Sequence, residues 1–287
     1  MLKLLGKFFL DLLPDKAFIR FKYRLKVGKT LNLSNPETYC EKLQWIKLYD
    51  RKPIYTKMVD KYEAKLLVEK LIGAEYVIPT LGVWHQFDDI DFDSLPEQFV
   101  LKCTHDSGGI VICKDKKTFD RQSAKIKIEK CLRSNYYLHN REWPYKKISP
   151  RIIAEAYLED PGSDQLRDYK IMTFMGEPKL LYLMQDRYIS PPGFADVFDM
   201  DGKHLNLCIE RTPAEHCPSL PIHFEKMKEL SSKLSKDTYH LRVDFYEVEG
   251  RVYFGEMTFF HMGGFVPPKP ESWNQQMGSW MHLGNTP

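Results

Sequence analysis

The 287-residue sequence predicts an α+β fold in which a short helical segment precedes a body built from strands and hairpins. Three observations carry this. Apolar residues recur at helical spacing through much of the first 75 positions. From Tyr76 onward, short β-branched and aromatic runs stand between turn residues. Two further helical patterns, about 118–133 and Phe224–Leu234, separate groups of those runs.

Composition narrows the class. The chain is 43% hydrophobic and 28% charged, as in globular rather than disordered proteins. With 17 Phe, 16 Tyr and 5 Trp, both the core and a binding cleft should be rich in aromatic rings. A formal charge of +3 is too small to argue for a nucleic-acid partner. Cysteines stand at 40, 103, 113, 131, 208 and 217, none in a CxxC pair and none at zinc spacing. They read as reduced structural thiols of a cytoplasmic protein.

Taken in order, the first 29 residues carry eight Lys or Arg against two Asp. Leu2, Leu5, Phe8, Phe9, Leu12 and Leu13 share a helical face, while Lys7 and Asp11 interrupt any signal-peptide core. No run reaches the roughly 20 apolar residues of a membrane span. Residues 1–27 thus form a basic amphipathic segment, suited either to an anionic membrane surface or to packing on the protein's own body. Ser34-Asn35-Pro36 reads as a turn before a helix with Glu37 in its first turn, running from Thr38 to about Tyr49. After Pro53 a second helix is expected from about Tyr55 to Ile72, ending at Gly73.

Val77-Ile-Pro79, Leu81–Trp84, Phe99–Cys103 and Ile110–Cys113 read as strands, followed by the helix at 118–133 and a strand at Arg151–Glu155. Tyr169–Phe174 and Pro178–Gln185 flank a turn at Met175-Gly176-Glu177. Leu241–Tyr246 and Val252–Glu256 flank Glu249-Gly250. Gly162 and Pro191-Pro192-Gly193 mark loops, and there is no internal repeat.

Four places carry chemistry. Lys102 ends a strand and is followed by Ser107-Gly108-Gly109, a loop whose backbone can approach phosphate oxygens. No Walker A or GxGxxG pattern is present. In a hairpin closed near Glu249-Gly250, Asp244 and Glu256 stand at almost the same distance from the turn, so they can sit side by side. Two such carboxylates among aromatic residues repel unless a cation lies between them, and Mg2+ suits that position. Glu155 closes a strand that runs into the charged Glu159-Asp160 loop. Lys170 and Arg187 lie on adjacent expected strands and can face one site.

In this order the pieces resemble the ATP-grasp superfamily. More narrowly, Asn35-Pro-Glu-Thr38, Glu41–Asp50, Lys102–Gly109, Arg141-Glu-Trp-Pro-Tyr145 and Phe254-Gly-Glu-Met-Thr258 are similar to its TupA-like branch, named for teichuronopeptide synthesis and often found near capsule and glycan genes. The likeness covers about residues 30–280. It implies two α+β lobes sandwiching ATP, with a helical N-terminal segment over 1–75, a nucleotide-closing lobe over 76–155 and a C-terminal lobe with the metal site over 156–287.

By the same resemblance, Lys102 contacts nucleotide phosphates under the closing loop Ser107, Gly108 and Gly109. Glu155, Ala156, Tyr157 and Leu158 form the adenine hinge, and either Asp168 or Glu159 holds ribose. Lys170 and Arg187 stabilise the transferring phosphoryl group, and Asp244 and Glu256 hold Mg2+. The usual third ligand, an Asn two residues past the glutamate, is Thr258 here. The common α/β pre-domain is replaced by a short helical segment.

The implied activity is an ATP- and Mg2+-dependent carboxylate–amine ligase, attaching an amino acid or amine to a uronic-acid-containing surface polysaccharide or its precursor. Its place would be cytoplasmic, at the inner membrane face if residues 1–27 lie on it. Two rival readings are a glycosyltransferase of the same pathways and a peripheral membrane scaffold. His105, in the closing loop, either touches substrate or is solvated.

Overall fold

The computed structural model describes residues 10–159, 166–185 and 193–284. Leu2, Leu5, Phe8, Phe9, Gly162, Arg187 and Pro191-Pro192 therefore lie outside the described residues.

Helix α1 (Asp15–Val27) buries Phe18, Ile19 and Tyr23 and ends at Gly28, whose φ of 78° suits the left-handed stop. Helix α2 (Tyr39–Tyr49) is capped by Thr38. The Thr38 hydroxyl accepts from the Glu41 N–H, and the Glu41 carboxylate accepts from the Thr38 N–H. Glu37, expected in the first turn, therefore lies ahead of the cap. The helix expected as one unit to Ile72 is two: α3 (Ile54–Val59) and α4 (Lys61–Ile72). Asp60 breaks it, leaving helical conformation so that its side chain can accept from the N–H groups of Tyr62 and Glu63.

A four-stranded antiparallel sheet follows, built from β1 (Thr80–Trp84), β2 (Phe99–Cys103), β3 (Ile110–Cys113) and β4 (Ile152–Ala156). Its order is β1-β4-β2-β3. Val77-Ile-Pro79, expected as a strand, makes only a single bridge from Val77 to Phe254. Between β3 and β4 come α5 (Arg121–Leu132) and the one-turn α6 (Tyr137–Asn140).

The second sheet has five antiparallel strands in the order β7-β6-β5-β8-β9. These are β5 (Asp168–Phe174), β6 (Glu177–Gln185), β7 (Phe194–Phe198), β8 (His240–Val248) and β9 (Arg251–Thr258). Helix α7 (Phe224–Leu234) precedes β8, and α8 (Glu271–Ser279) closes the described chain. Strand β7 and helices α6 and α8 were not expected.

Two hydrophobic cores result. One lies between the four-stranded sheet and α5, around Phe99, Leu101 and Ile128. The other joins the N-terminal helices to the five-stranded sheet, around Leu43, Val68, Ile171 and Phe245. The N-terminal helices thus form part of the larger core.

The β8–β9 hairpin sets the site. Val248 faces Arg251 across a two-residue turn in which Glu249 and Gly250 both have positive φ, 50° and 72°. Counting straight back from that turn would pair Asp244 with Gly255 and turn Glu256 to the other face. Gly255 instead bulges, so the register shifts and Asp244 faces Glu256. A Cβ at Gly255 would come 3.1 Å from the Asp244 carbonyl oxygen, tight enough to explain glycine there.

Candidate active site

Strand β2 ends in Lys102, and the following chain turns back tightly into β3. The Cys103 N–H donates to the Gly109 carbonyl, and the Gly109 N–H donates to the Asp106 carboxylate at 3.3 Å. Gly108 has φ 132°, a conformation open to glycine but strained for other residues. Ser107 and Gly108 are exposed while Gly109 is buried. Helix α4 docks its N-terminus on this loop: the Lys61 ammonium donates to the Asp106 carbonyl, and the Lys61 N–H to the Thr104 carbonyl at 3.0 Å. His105 is neither solvated nor in the cleft. It is buried, with Nε2 3.1 Å from the Cys131 carbonyl at the end of α5.

Glu155 on β4 is 5% exposed and carries two lysines. Lys65 of α4 reaches one carboxylate oxygen at 2.6 Å, and Lys102 pairs with the other. Burial works to raise its pKa, but the two ammonium groups outweigh it and hold the carboxyl down to about 2. The Glu155 side chain thus anchors the lysine of the neighbouring strand. Ala156 donates its N–H to the Pro79 carbonyl, Tyr157 and Leu158 are half-buried, and Glu159 is exposed.

On the five-stranded sheet, Asp244 is 2% exposed and both its oxygens are engaged. The Arg242 guanidinium donates to it through Nε at 2.7 Å and Nη2 at 2.8 Å, and Lys170 of β5 donates to Oδ2. Arg242 Nη2 also donates to Glu256 at 2.8 Å. The cation expected between the two carboxylates is therefore supplied by the chain itself. Burial acts to raise the Asp244 pKa, but Arg242 and Lys170 hold it below the usual carboxylate value. Burial pulls Lys170 below the ordinary lysine value against the attraction of Asp244. Asp168 lies 3.4 Å from Lys170. Arg242 Nη1 donates to His261 Nδ1 at 2.9 Å, an arrangement that requires that nitrogen to be unprotonated. Burial and the adjacent guanidinium push the His261 pKa well below normal, in agreement.

Arg242 carried no role in the sequence analysis, although a signal was present. Two residues before Asp244 on a strand, it must lie on the same face. Lys65 was missed because its partner Glu155 lies 90 residues away.

Some of these groups meet at one cavity of about 430 Å³, whose lining includes none of Lys102, Gly108, Gly109, Glu155, Ala156, Tyr157, Asp168, Lys170 and Asp244. Ser107 and Asp106 of the glycine loop line one side; Arg242, Glu256 and Thr258 line the other. A larger hollow of about 810 Å³ lies between β3 and α5 and touches Ser107 and Gly108, but includes none of Arg242, Glu256 and Thr258. The smaller cavity is where the charges meet and is the candidate site.

The residues present fit Mg2+ in a restricted way. Glu256 is half-exposed, with one oxygen committed to Arg242, and it lines the cavity beside Thr258. Mg2+ accepts one carboxylate when phosphate oxygens and water complete its shell. Asp244 can join that shell only if Lys170 or Arg242 gives way.

The model of the TupA-like ATPgrasp family matches residues 41–282. No curated protein matches the chain. Among solved structures, D-alanine–D-alanine ligase from Helicobacter pylori is similar at 14% identity and a TM-score of 0.49, over 87% of this chain and 70% of that one. L-amino acid ligase from Bacillus licheniformis is similar at 14% identity and 0.47, over 88% and 56%. N5-carboxyaminoimidazole synthetase from Staphylococcus aureus, complexed with ADP, is similar at 14% identity and 0.45, over 79% and 53%. This chain thus spans little more than half the length of the latter two.

Proposed function

We propose, for a chain that belongs to the TupA-like ATP-grasp family, that it joins a carboxylate to an amine at the expense of ATP. One observation carries the reading. The glycine loop of one sheet and the Arg242–Glu256 face of the other line the same cavity, so a polyphosphate held by the first reaches the cations of the second.

In this reading Lys102 and the backbone N–H groups of Ser107 and Gly108 hold the nucleotide phosphates, while the Gly109 N–H, donated to Asp106, fixes the loop. Glu155 keeps Lys102 in place, and the hinge Ala156, Tyr157 and Leu158 takes the adenine. Arg242, immobilised by Asp244 and Glu256, neutralises charge on the transferring phosphoryl group, with Lys170 behind it and Arg187 as a further cation. Asp168 or Glu159 takes the ribose. When bound, Mg2+ supplies charge neutralisation between the phosphates, and Glu256 with Thr258 would hold it. The γ-phosphoryl passes to the carboxylate oxygen, ADP leaves, and the amine displaces phosphate to form the amide.

The substrates we propose are a uronic acid of a surface polysaccharide or its precursor, and an amine. A matrix of uronic acids and amines, read by ADP release, tests this. Stabilisation by UDP-sugars with none by Mg-ATP would favour a glycosyltransferase.

A membrane-surface location is a second reading, favoured by Leu12, Phe21 and Leu25. They are 66%, 48% and 66% exposed on a segment that also carries Lys16, Arg20 and Arg24. No described helix is long and apolar enough to cross a membrane. Vesicles containing anionic lipid should pellet the full chain and lose it when Leu12, Phe21 and Leu25 become Ser; equal pelleting would remove the reading.

A further inference from the structure

The Arg141-Glu-Trp-Pro-Tyr145 string has no part in the nucleotide chemistry, yet its glutamate lines the same cavity. Glu142 is 4% exposed and makes no ion pair among the described residues. Among the described residues its carboxylate accepts one hydrogen bond, from the Asn140 side-chain amide at 3.0 Å. Burial raises its pKa, because Lys47, Lys22 and Arg242 act on it only from a distance. Lys47 is its strongest charged neighbour but makes no ion pair with it among the described residues. That ammonium is buried against the Phe260 and Phe265 rings and donates to the Gln44 side chain and the Gly263 carbonyl. A buried carboxylate without a counter-ion, facing a cavity, is costly in the absence of a cationic ligand.

A positive end lies beside it. Lys22 and Lys26 of α1 both line the cavity, one helical turn apart, where like charges repel. Lys22 donates to the His139 carbonyl at 2.6 Å and to Asn140 Oδ1 at 2.7 Å, leaving one N–H of three. Lys26 is exposed and makes no hydrogen bond or ion pair with its side chain among the described residues. Asn140 therefore separates the two signs: its oxygen must face the lysine, a pure donor, and its nitrogen must face the carboxylate. A negative and a positive group stand on either side of one amide, complementary to a molecule carrying an ammonium and an acid group a few bonds apart.

We propose that Glu142, Asn140, Lys22 and Lys26 form the amine-substrate site, and that the amine is a zwitterion of free α-amino-acid type. Glu142 receives its ammonium and the two lysines receive its carboxylate. This rests on the ligase reading for the fate of the amine, since Arg242 and Glu256 line the same cavity. The N-terminal helix then supplies part of the acceptor site.

The test is calorimetric titration of the full chain, with and without Mg-ATP, using free amino acids of every side-chain class together with their N-acetyl and C-amide forms. Free amino acids should bind, and either modification should weaken binding at least tenfold. Glu142→Gln should erase the preference for free over N-acetylated ligand. Lys26→Met, at an exposed position that leaves folding intact, should reduce the preference for free over amidated ligand. Absence of amino-acid binding overturns the proposal, as does equal binding of the blocked forms. So do unchanged preferences in folded Glu142→Gln protein. Failure of Mg-ATP to bind would remove the ligase reading instead, and the amino-acid preferences would still decide this site.

Discussion

Asp244→Asn separates two accounts of the acid pair by the sign of its effect on stability. If Asp244 and Glu256 repelled each other across a gap, removing one charge would stabilise the unliganded chain. The structure predicts the opposite. Asp244 accepts two hydrogen bonds from Arg242, at 2.7 and 2.8 Å, and one from Lys170, all at 2% exposure. An amide nitrogen at either position would face a cationic N–H. Removing one partner of a buried ion pair costs about 3–5 kcal/mol. Arg242 keeps Glu256 and Lys170 keeps Asp168, so the lower end, about 3 kcal/mol, is expected. Urea unfolding with an unchanged m-value reads this as a lower midpoint. Adding Lys170→Met should recover part of the loss, as a double-mutant cycle shows for coupled neighbours. Stabilisation, or a loss under about 1 kcal/mol, would refute the argument.

Glu256→Gln should change stability by no more than about 1 kcal/mol, since its side chain is 40% exposed. It should nevertheless weaken the Mg2+ dependence of ATP binding, measured by calorimetry at varied Mg2+; an unaltered dependence removes Glu256 from the metal. Glu155 sits at about 2 against an ordinary 4.5, so its ionised form stabilises the fold above pH 4.5 and loses that contribution as pH falls toward 2. Urea midpoints from pH 7 to 3 should fall with pH, and Glu155→Gln should flatten the slope; parallel slopes would count against the Lys65–Glu155–Lys102 network. Thr38→Ala removes the cap of α2 and should cost about 1 kcal/mol in thermal or urea melts.

Much of the local architecture was legible in the sequence because its causes are local. Period-two runs bounded by glycine mark β2, β3 and both long hairpins, and the apolar stripe of Phe224–Leu234 marks α7. The sequence also placed Asp244 opposite Glu256. Symmetry about Gly250 pointed there, but the true turn centre lies half a residue earlier, between Glu249 and Gly250, and the Gly255 bulge restores the pairing. A strand such as β7 escaped because its short run, Phe194–Phe198, becomes a strand by pairing with β6. Asp60 likewise had two local options, continuing a helix or capping the next one, and periodicity alone did not choose between them.

The electrostatics belonged to tertiary structure. Sequence distance hides that Lys65 meets Glu155, that Lys22 and Glu142 share Asn140, and that the cation between Asp244 and Glu256 is Arg242. Spacing and turn chemistry specify which way a side chain points from its own backbone. Which charge it meets depends on how sheets and helices stack, and burial then decides whether that meeting is a solvated surface pair or a fixed site.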